Sequence, residues 1–217
     1  MRRGWWIATS AALVVGVACS DNVGPGACFE PNVSGYGFSL ASDTAFIFRW
    51  PGSYLPVRIY AEPVGELQAN TVAAMQLWAN AFRCNELSMT LTSDSTQADI
   101  IMRNPPVLPP AAGAVVVAAD SVGACRGVTQ FDTLNTALDA PMHAYVSPVS
   151  TDSVAVAGCY HFVTAHELGH ALGLLSHSPD VADLMYPQPR RRSLTPADKY
   201  TIQQLYHTTP TIGPRPR

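Results

Sequence analysis

The sequence predicts a single α+β domain, and three observations predict it. Short runs of β-branched and apolar residues alternate with longer stretches of helical periodicity. One helical stretch carries His166-Glu167-Leu168-Gly169-His170. The 217 residues suit one domain with a core large enough to fold unaided.

Taken in order, residues 1–18 read as an export signal. Met1-Arg2-Arg3 is the charged start, and Trp5 to Val17 is an apolar stretch of 13 residues, short for a membrane span. Val17-Ala18-Cys19 resembles the end of a bacterial lipoprotein signal, with Gly16 where leucine is usual; Cys19 would then carry the lipid anchor. The alternative is ordinary cleavage near Ala18 and a soluble product. Residues 19–50, rich in Gly, Pro, Ser and Asn, read as a tether with irregular N-terminal packing. Val57 to Tyr60 alternates like a strand. Val64 to Phe82 presents Leu67, Val72, Met75, Trp78 and Phe82 at helical spacing. Leu87 to Leu91 and Ile100 to Met102 read as strands, whereas the proline-rich run 104–110 cannot be regular structure. Further strands are expected at Val115 to Val117, Val128 to Phe131 and Met142 to Val146. The stretch 154–165 is apolar enough for a buried helix running into the histidine motif. Thr195-Pro196-Ala197-Asp198 starts a last helix, with Thr as cap, Pro in the first position and an acid in the first turn. Residues 208–217 read as a flexible tail.

The motif carries the chemistry. Residues four apart on a helix stand about 40° apart around the axis and about 6 Å along it, so two imidazoles reach one metal ion from a single face. His166 and His170 are those two. A catalytic Zn²⁺ takes three protein ligands and keeps one open position. His177, beyond Gly173, is the expected third ligand. Glu167, beside the first ligand, is the expected general base toward a metal-bound water. Gly173 suits the left-handed cap where such a helix must stop. The bland alternative is a core helix with two hydrogen-bonded histidines. His161, about 140° round the helix from His166, points elsewhere, and His143 and His207 have no ligand-spaced partner.

The run His-Glu-Leu-Gly-His-Ala-Leu-Gly-Leu-Leu-Ser-His-Ser resembles the zinc signature of the metzincin metallopeptidases, and within them of the matrixins. Leu184-Met185-Tyr186-Pro187 resembles their Met-turn, and residues 194–206 resemble their closing helix. Leu55 to Tyr60 and Ala98 to Met102 resemble their first and third strands. The resemblance covers about residues 51–207. It implies a twisted mixed β-sheet with a packing helix, a zinc-binding active-site helix, a Met-turn centred on Met185 and a C-terminal helix. It further implies one catalytic Zn²⁺ and a polypeptide substrate, with Tyr186 and Pro187 in the wall of the substrate pocket and a monomer as the acting species. One departure stands out. The family pattern puts the third histidine three residues after the glycine, where this chain has Ser176. The family spacing from third histidine to Met-turn methionine is eight, which selects His177 against Met185. A serine hydroxyl is a poor zinc ligand beside imidazole, and a loop absorbs one extra residue at little cost. The histidine-rich loop for a second zinc is not found in residues 104–125, and Ca²⁺ sites are not readable.

With Cys19 set aside, Cys28, Cys84, Cys125 and Cys159 remain. Four cysteines in an exported chain suggest two disulfides in one of three connectivities. Cys125 with Cys159 is preferred, stapling the region before the catalytic helix to that helix, and leaves Cys28 with Cys84. The formal charge of −3 gives no reason to expect nucleic acid. Arg190-Arg191-Arg192 reads as a solvated loop, or as a bias of the cleft toward acidic substrate residues. The expected activity is thus a zinc endopeptidase, extracytoplasmic and lipid-anchored or secreted. The alternatives are a cell-wall peptide hydrolase and a non-catalytic surface lipoprotein of the same fold.

Overall fold

A computed structural model describes residues 25–40, 42–43, 45–107, 115–122, 125–134 and 137–216. Residues 1–18, read above as an export signal, and Cys19 lie outside them. The described chain forms one six-stranded mixed sheet and three α-helices. The strands are β1 (Val57–Ala61), β2 (Met89–Thr92), β3 (Ile100–Arg103), β4 (Val115–Val122), β5 (Cys125–Leu134) and β6 (Ala137–Pro148). The helices are α1 (Leu67–Ala79), α2 (Ser153–Ala171) and α3 (Pro196–His207). Among the described residues no helix is long and apolar enough to cross a membrane.

The strand order is β2-β1-β3-β6-β5-β4. β1, β2, β3 and β6 run parallel, joined by crossovers, and β4, β5 and β6 form an antiparallel meander. β1 alternates strictly, with Val57, Ile59 and Ala61 buried, as expected of a strand with one face on the core. Asp99 locks β1 to β3: its carboxylate accepts from the Arg58 backbone N at 2.7 Å and pairs with the Arg58 guanidinium at 3.2 Å. α1 lies against β1 to β3 and α2 against β5 and β6, and the two helices pack on each other. Trp78, fully buried, sits in that seam and donates to the Ala165 carbonyl at 2.8 Å. Both disulfides form, Cys28–Cys84 and Cys125–Cys159, with Cα separations of 5.4 and 5.2 Å.

Three expectations are corrected. The folded unit does not begin at residue 51: Phe48 and Trp50 are core residues, and Trp50 donates to the Ala171 carbonyl at 2.9 Å. Their aromatic area draws in a segment whose polar composition reads as tether. Residues 208–216 are not a free tail either. Ile212 is buried, Thr211 N donates to Ile47 O at 2.9 Å, and Leu138 N donates to Gly213 O at 2.9 Å. An isolated apolar residue flanked by edge backbone partners is enough to dock a short terminal strand. Finally, α2 is not buried throughout. Its first turns are half-exposed or exposed, with Val154 at 78%.

Candidate metal centre

The second half of α2 is built to hold its side chains still. From Val163 to Ala171 every residue is buried, including His166, Glu167 and His170 at 0% exposure. The helix ends at Gly173 (φ +115°) in a Schellman arrangement, Gly173 N donating to His170 O at 2.9 Å and Leu174 N to Gly169 O at 3.1 Å. A Cβ at Gly173 would stand 2.3 Å from the Phe48 carbonyl oxygen, so only glycine fits both the conformation and the space. The chain then returns over the helix, and His177 arrives where the first two histidines point.

His166, His170 and His177 present ring nitrogens all within 4.8 Å of one another. His166 and His170 each use the other ring nitrogen on a backbone carbonyl: Nδ1 to Leu184 O at 2.8 Å and Nδ1 to Leu174 O at 2.5 Å. A carbonyl only accepts, so each Nδ1 carries the proton and each Nε2 presents a lone pair. Those two Nε2 atoms are 3.1 Å apart. Nitrogens on a tetrahedral Zn²⁺ at about 2.0–2.1 Å stand about 3.3 Å from one another. Three imidazoles so aimed, with two backbone carbonyls fixing their tautomers, fit that ion. Ser176 does not compete, because its hydroxyl donates to the Ser39 carbonyl.

Glu167 turns to the sheet side of the helix. Its Oε2 accepts from Thr129 Oγ1 at 2.7 Å, and a Cβ added to Gly127 would fall 2.0 Å from Oε1. Glycine in β5 therefore makes room for the carboxylate. Neither Thr129 nor Gly127 stands out in the sequence; a glycine inside a strand is the signal that could have found them.

Met185 is fully buried beneath the metal centre. A Cβ on Gly169 would stand 2.6 Å from its Sδ and 2.6 Å from Trp78 Cζ2, so Gly169 lets the turn press against the helix between the two histidines. What holds the turn is Asp198, a buried carboxylate one turn into α3. It accepts from Leu184 N at 2.9 Å, Met185 N at 3.3 Å, Thr195 N at 2.9 Å and the Tyr36 hydroxyl at 2.7 Å. Burial first, and the Asp198 carboxylate second, hold the Tyr36 phenol well above its ordinary pKa. Asp183 adds a second tie, accepting from Ser178 and Thr195 hydroxyls at 2.5 Å each. The sequence marked Asp198 as a helix-start residue; its larger part, bonding the Met-turn, depends on an approach between distant segments. Tyr186 and Pro187 follow, both half-exposed.

The remaining histidines stay apart from the centre. His207 Nε2 lies 2.8 Å from Glu86 Oε1. His143 stacks on Tyr145, and His161 packs edge-on against Phe162. Desolvation lowers the pKa of both, with Arg103 adding for His143 and Arg192 for His161. Arg190, Arg191 and Arg192 are exposed.

The matrixin family model matches residues 116–207, the stretch from β4 to the end of α3. Matrix metalloproteinase-A of Caenorhabditis elegans is 46% identical over 52 residues, which are 23% of this chain and 10% of that protein. The chain thus spans about a tenth of the length of that relative. The matched family is zinc-dependent, and the matched stretch contains the three histidines, the buried glutamate and the Met-turn described above. With the histidine-bearing helix and the closing helix around that centre, the stretch 116–207 is similar to the matrixins among the metzincins.

Proposed function

We propose that this chain is a zinc endopeptidase that cuts extended polypeptides outside the cytoplasm. The observation that carries the reading is one helix turn holding two fixed imidazoles and, between them, a buried carboxylate seated on the neighbouring strand. His166, His170 and His177 would hold a zinc ion, which when bound would supply Lewis acidity to a scissile carbonyl and a water. Glu167 is the group placed to take the water's proton and return it to the departing amine. The Thr129 hydroxyl donates to that carboxylate and orients it.

Substrate is expected to add as a strand, because backbone hydrogen bonds bind an extended chain without regard to its sequence. β5, beside Glu167, is paired on both sides, by β6 and by β4. The outer edge therefore belongs to β4. Its register sets Ala118 opposite Thr129 and Asp120 opposite Gly127. The stretch abreast of Glu167 is thus Ala118 to Asp120. Two disulfides support an oxidising compartment, and export with a lipid on Cys19 is the form we propose for it.

The test is a cleavage profile on unfolded protein and a peptide library, with chelated enzyme and Glu167→Ala as controls. Cleavage of polypeptide that both controls abolish is expected. Hydrolysis of purified cell wall alone would move the substrate to cell-wall peptide, and zinc binding with no hydrolysis of either would leave a binding protein of this fold.

A further inference from the structure

We propose that Cys28, Cys84, Glu86 and His207 form a redox-gated metal site, closed by the disulfide when oxidised and binding Zn²⁺ when reduced. None of the four belongs to the three-histidine centre, so the site stands or falls apart from the peptidase reading.

The four residues come from three parts of the chain. Cys28 closes the short 3₁₀ turn Pro25–Cys28 and is buried. Cys84 and Glu86 follow α1, and His207 is the last residue of α3. Asn85, at φ +57°, turns the chain between Cys84 and Glu86. Glu86 then folds back, its Oε2 accepting from Cys84 N at 3.0 Å and its Oε1 lying 2.8 Å from His207 Nε2. The Cys28 sulfur, a Glu86 carboxylate oxygen and a His207 ring nitrogen thus lie within 4.8 Å of one another. Cys84 Sγ, bonded to the Cys28 sulfur, is a fourth donor at the same point.

A His–Glu pair at the surface is by itself an ordinary contact worth little. The sulfurs set this one apart. Zn²⁺ takes thiolate, imidazole and carboxylate in a tetrahedron, at about 2.3 Å for sulfur and about 2.0–2.2 Å for nitrogen and oxygen. Donors on such a tetrahedron stand about 3.3–3.8 Å apart, a small adjustment from the spacing already present. The Phe29 ring, 4.9 Å from the His207 ring, limits its rotation, and the half-exposed His207 leaves the ion a way in. The other disulfide shows the contrast. Cys125 and Cys159 line an apolar cavity with Val154, Gly158, Phe162 and Val163. Among the described residues no histidine or carboxylate joins them in a group of three donors.

Opening the site takes two electrons from a dithiol reductant. One of its thiolates attacks Cys84 Sγ, the more exposed sulfur, the S–S bond breaks and Cys28 leaves as thiolate. The second attacks the mixed disulfide, frees Cys84 as thiolate and leaves the reductant as a disulfide. Zn²⁺ binds both thiolates with Glu86 and His207 Nε2, and protons held by these groups pass to solvent, so binding strengthens as pH rises. The metal then does what the disulfide did, tying the N-terminal segment to the end of α1, and adds α3 to the tie.

The test uses the full chain with its histidine centre already zinc-loaded. It is reduced with dithiothreitol, desalted without oxygen and titrated with Co²⁺, whose thiolate complexes give a near-ultraviolet charge-transfer band that imidazole complexes do not. One further equivalent showing that band is expected in the reduced protein and none in the oxidised, and Zn²⁺ should displace the Co²⁺. Losing even a group that only orients a ligand costs about 10–100-fold in metal affinity. His207→Ala, which removes a ligand, should therefore weaken binding about 100-fold, and Glu86→Gln about 10-fold. Oxidised His207→Ala should keep its first zinc. Circular dichroism follows the fold: where reduction loosens it, the ion should restore it in wild type and not in His207→Ala. A reduced chain that takes no further ion overturns the proposal, as does an unfolded one that the ion fails to refold. Equal affinity in wild type, His207→Ala and Glu86→Gln overturns it too, because thiols alone would then hold the metal.

Discussion

The two halves of α2 differ in burial and in what holds them. From Val163 to Ala171 the helix is wholly buried, and side chains from far along the chain close on it. Trp78 and Trp50 take the Ala165 and Ala171 carbonyls, and Thr129 takes Glu167. The backbone carbonyls of Leu184 and Leu174 fix the two histidine rings. From Ser153 to Phe162 the helix is tied by its Asp152 cap and by Cys159, and much of it faces solvent. The difference teaches a division of labour. Metal ligands must be held to a fraction of an ångström, so their half is over-determined. The first turns carry none of those ligands, and their half keeps open space.

The largest effects should come from the buried half. His177→Ala removes one of three ligands, and zinc content measured by atomic absorption should fall from about one per chain to well below it, with activity lost. Ser176→Ala should keep both, because that hydroxyl is bonded to Ser39. The reverse outcome would show that the return loop had been read in the wrong register. Next, Glu167→Gln should keep zinc and fold but lose about 10²–10⁴-fold in kcat. Turnover within a few-fold of wild type in that variant would remove Glu167 from the mechanism.

A smaller but still large effect is expected at Asp198. Asn keeps the shape yet replaces one carboxylate oxygen by an NH₂, which then faces either Leu184 N and Thr195 N or Met185 N and the Tyr36 hydroxyl, all groups that already donate. Losing charge-assisted bonds in a buried site costs about 3 kcal/mol. For a domain of this size that is a fall of roughly 6–12 °C in Tm, followed by calorimetry. Tyr36→Phe, which removes one donor and leaves the others, should cost about 1 kcal/mol. Equal losses in both variants would mean that Asp198 acts through the Tyr36 hydroxyl alone and not through the Met-turn.

Much of the buried half was legible because its chemistry demands particular residues at fixed spacing. Histidines four apart, a glycine where the helix must turn, and a methionine eight after the third histidine are local facts that a sequence displays. The cystine pair Cys125–Cys159 was legible for the same reason, since each partner flanks an element already placed. Thr129, Gly127 and Asp198 were not, because their roles arise from contacts between segments far apart in the chain. Trp50 and Ile212 were misplaced for a related reason. One buried aromatic or aliphatic residue can dock a segment whose remaining composition is polar, and composition averages that residue away. The exposed first turns of α2 escaped notice because an apolar run looks the same whether it faces a core or a cavity.

The two glycines of α2 give the finest test of the contrast. Gly169→Ala puts a methyl 2.6 Å from both Met185 Sδ and Trp78 Cζ2. Both neighbours are fully buried, so relief requires moving the Met-turn or the α1 seam. Overpacking of this kind costs about 1–3 kcal/mol, and the gain in helix propensity, about 1 kcal/mol, offsets only part of it. Gly158→Ala meets nothing within 3.8 Å, so propensity acts alone and the fold should gain about 0.5–1 kcal/mol. Denaturant unfolding of the zinc-loaded proteins reads both, and the sign of the change is the result that matters. Opposite signs fit a helix rigid at one end and open at the other. If Gly158→Ala were also destabilising, the first turns of α2 would be packed more tightly than their exposure implies, and the contrast between the halves would fail at its weaker end.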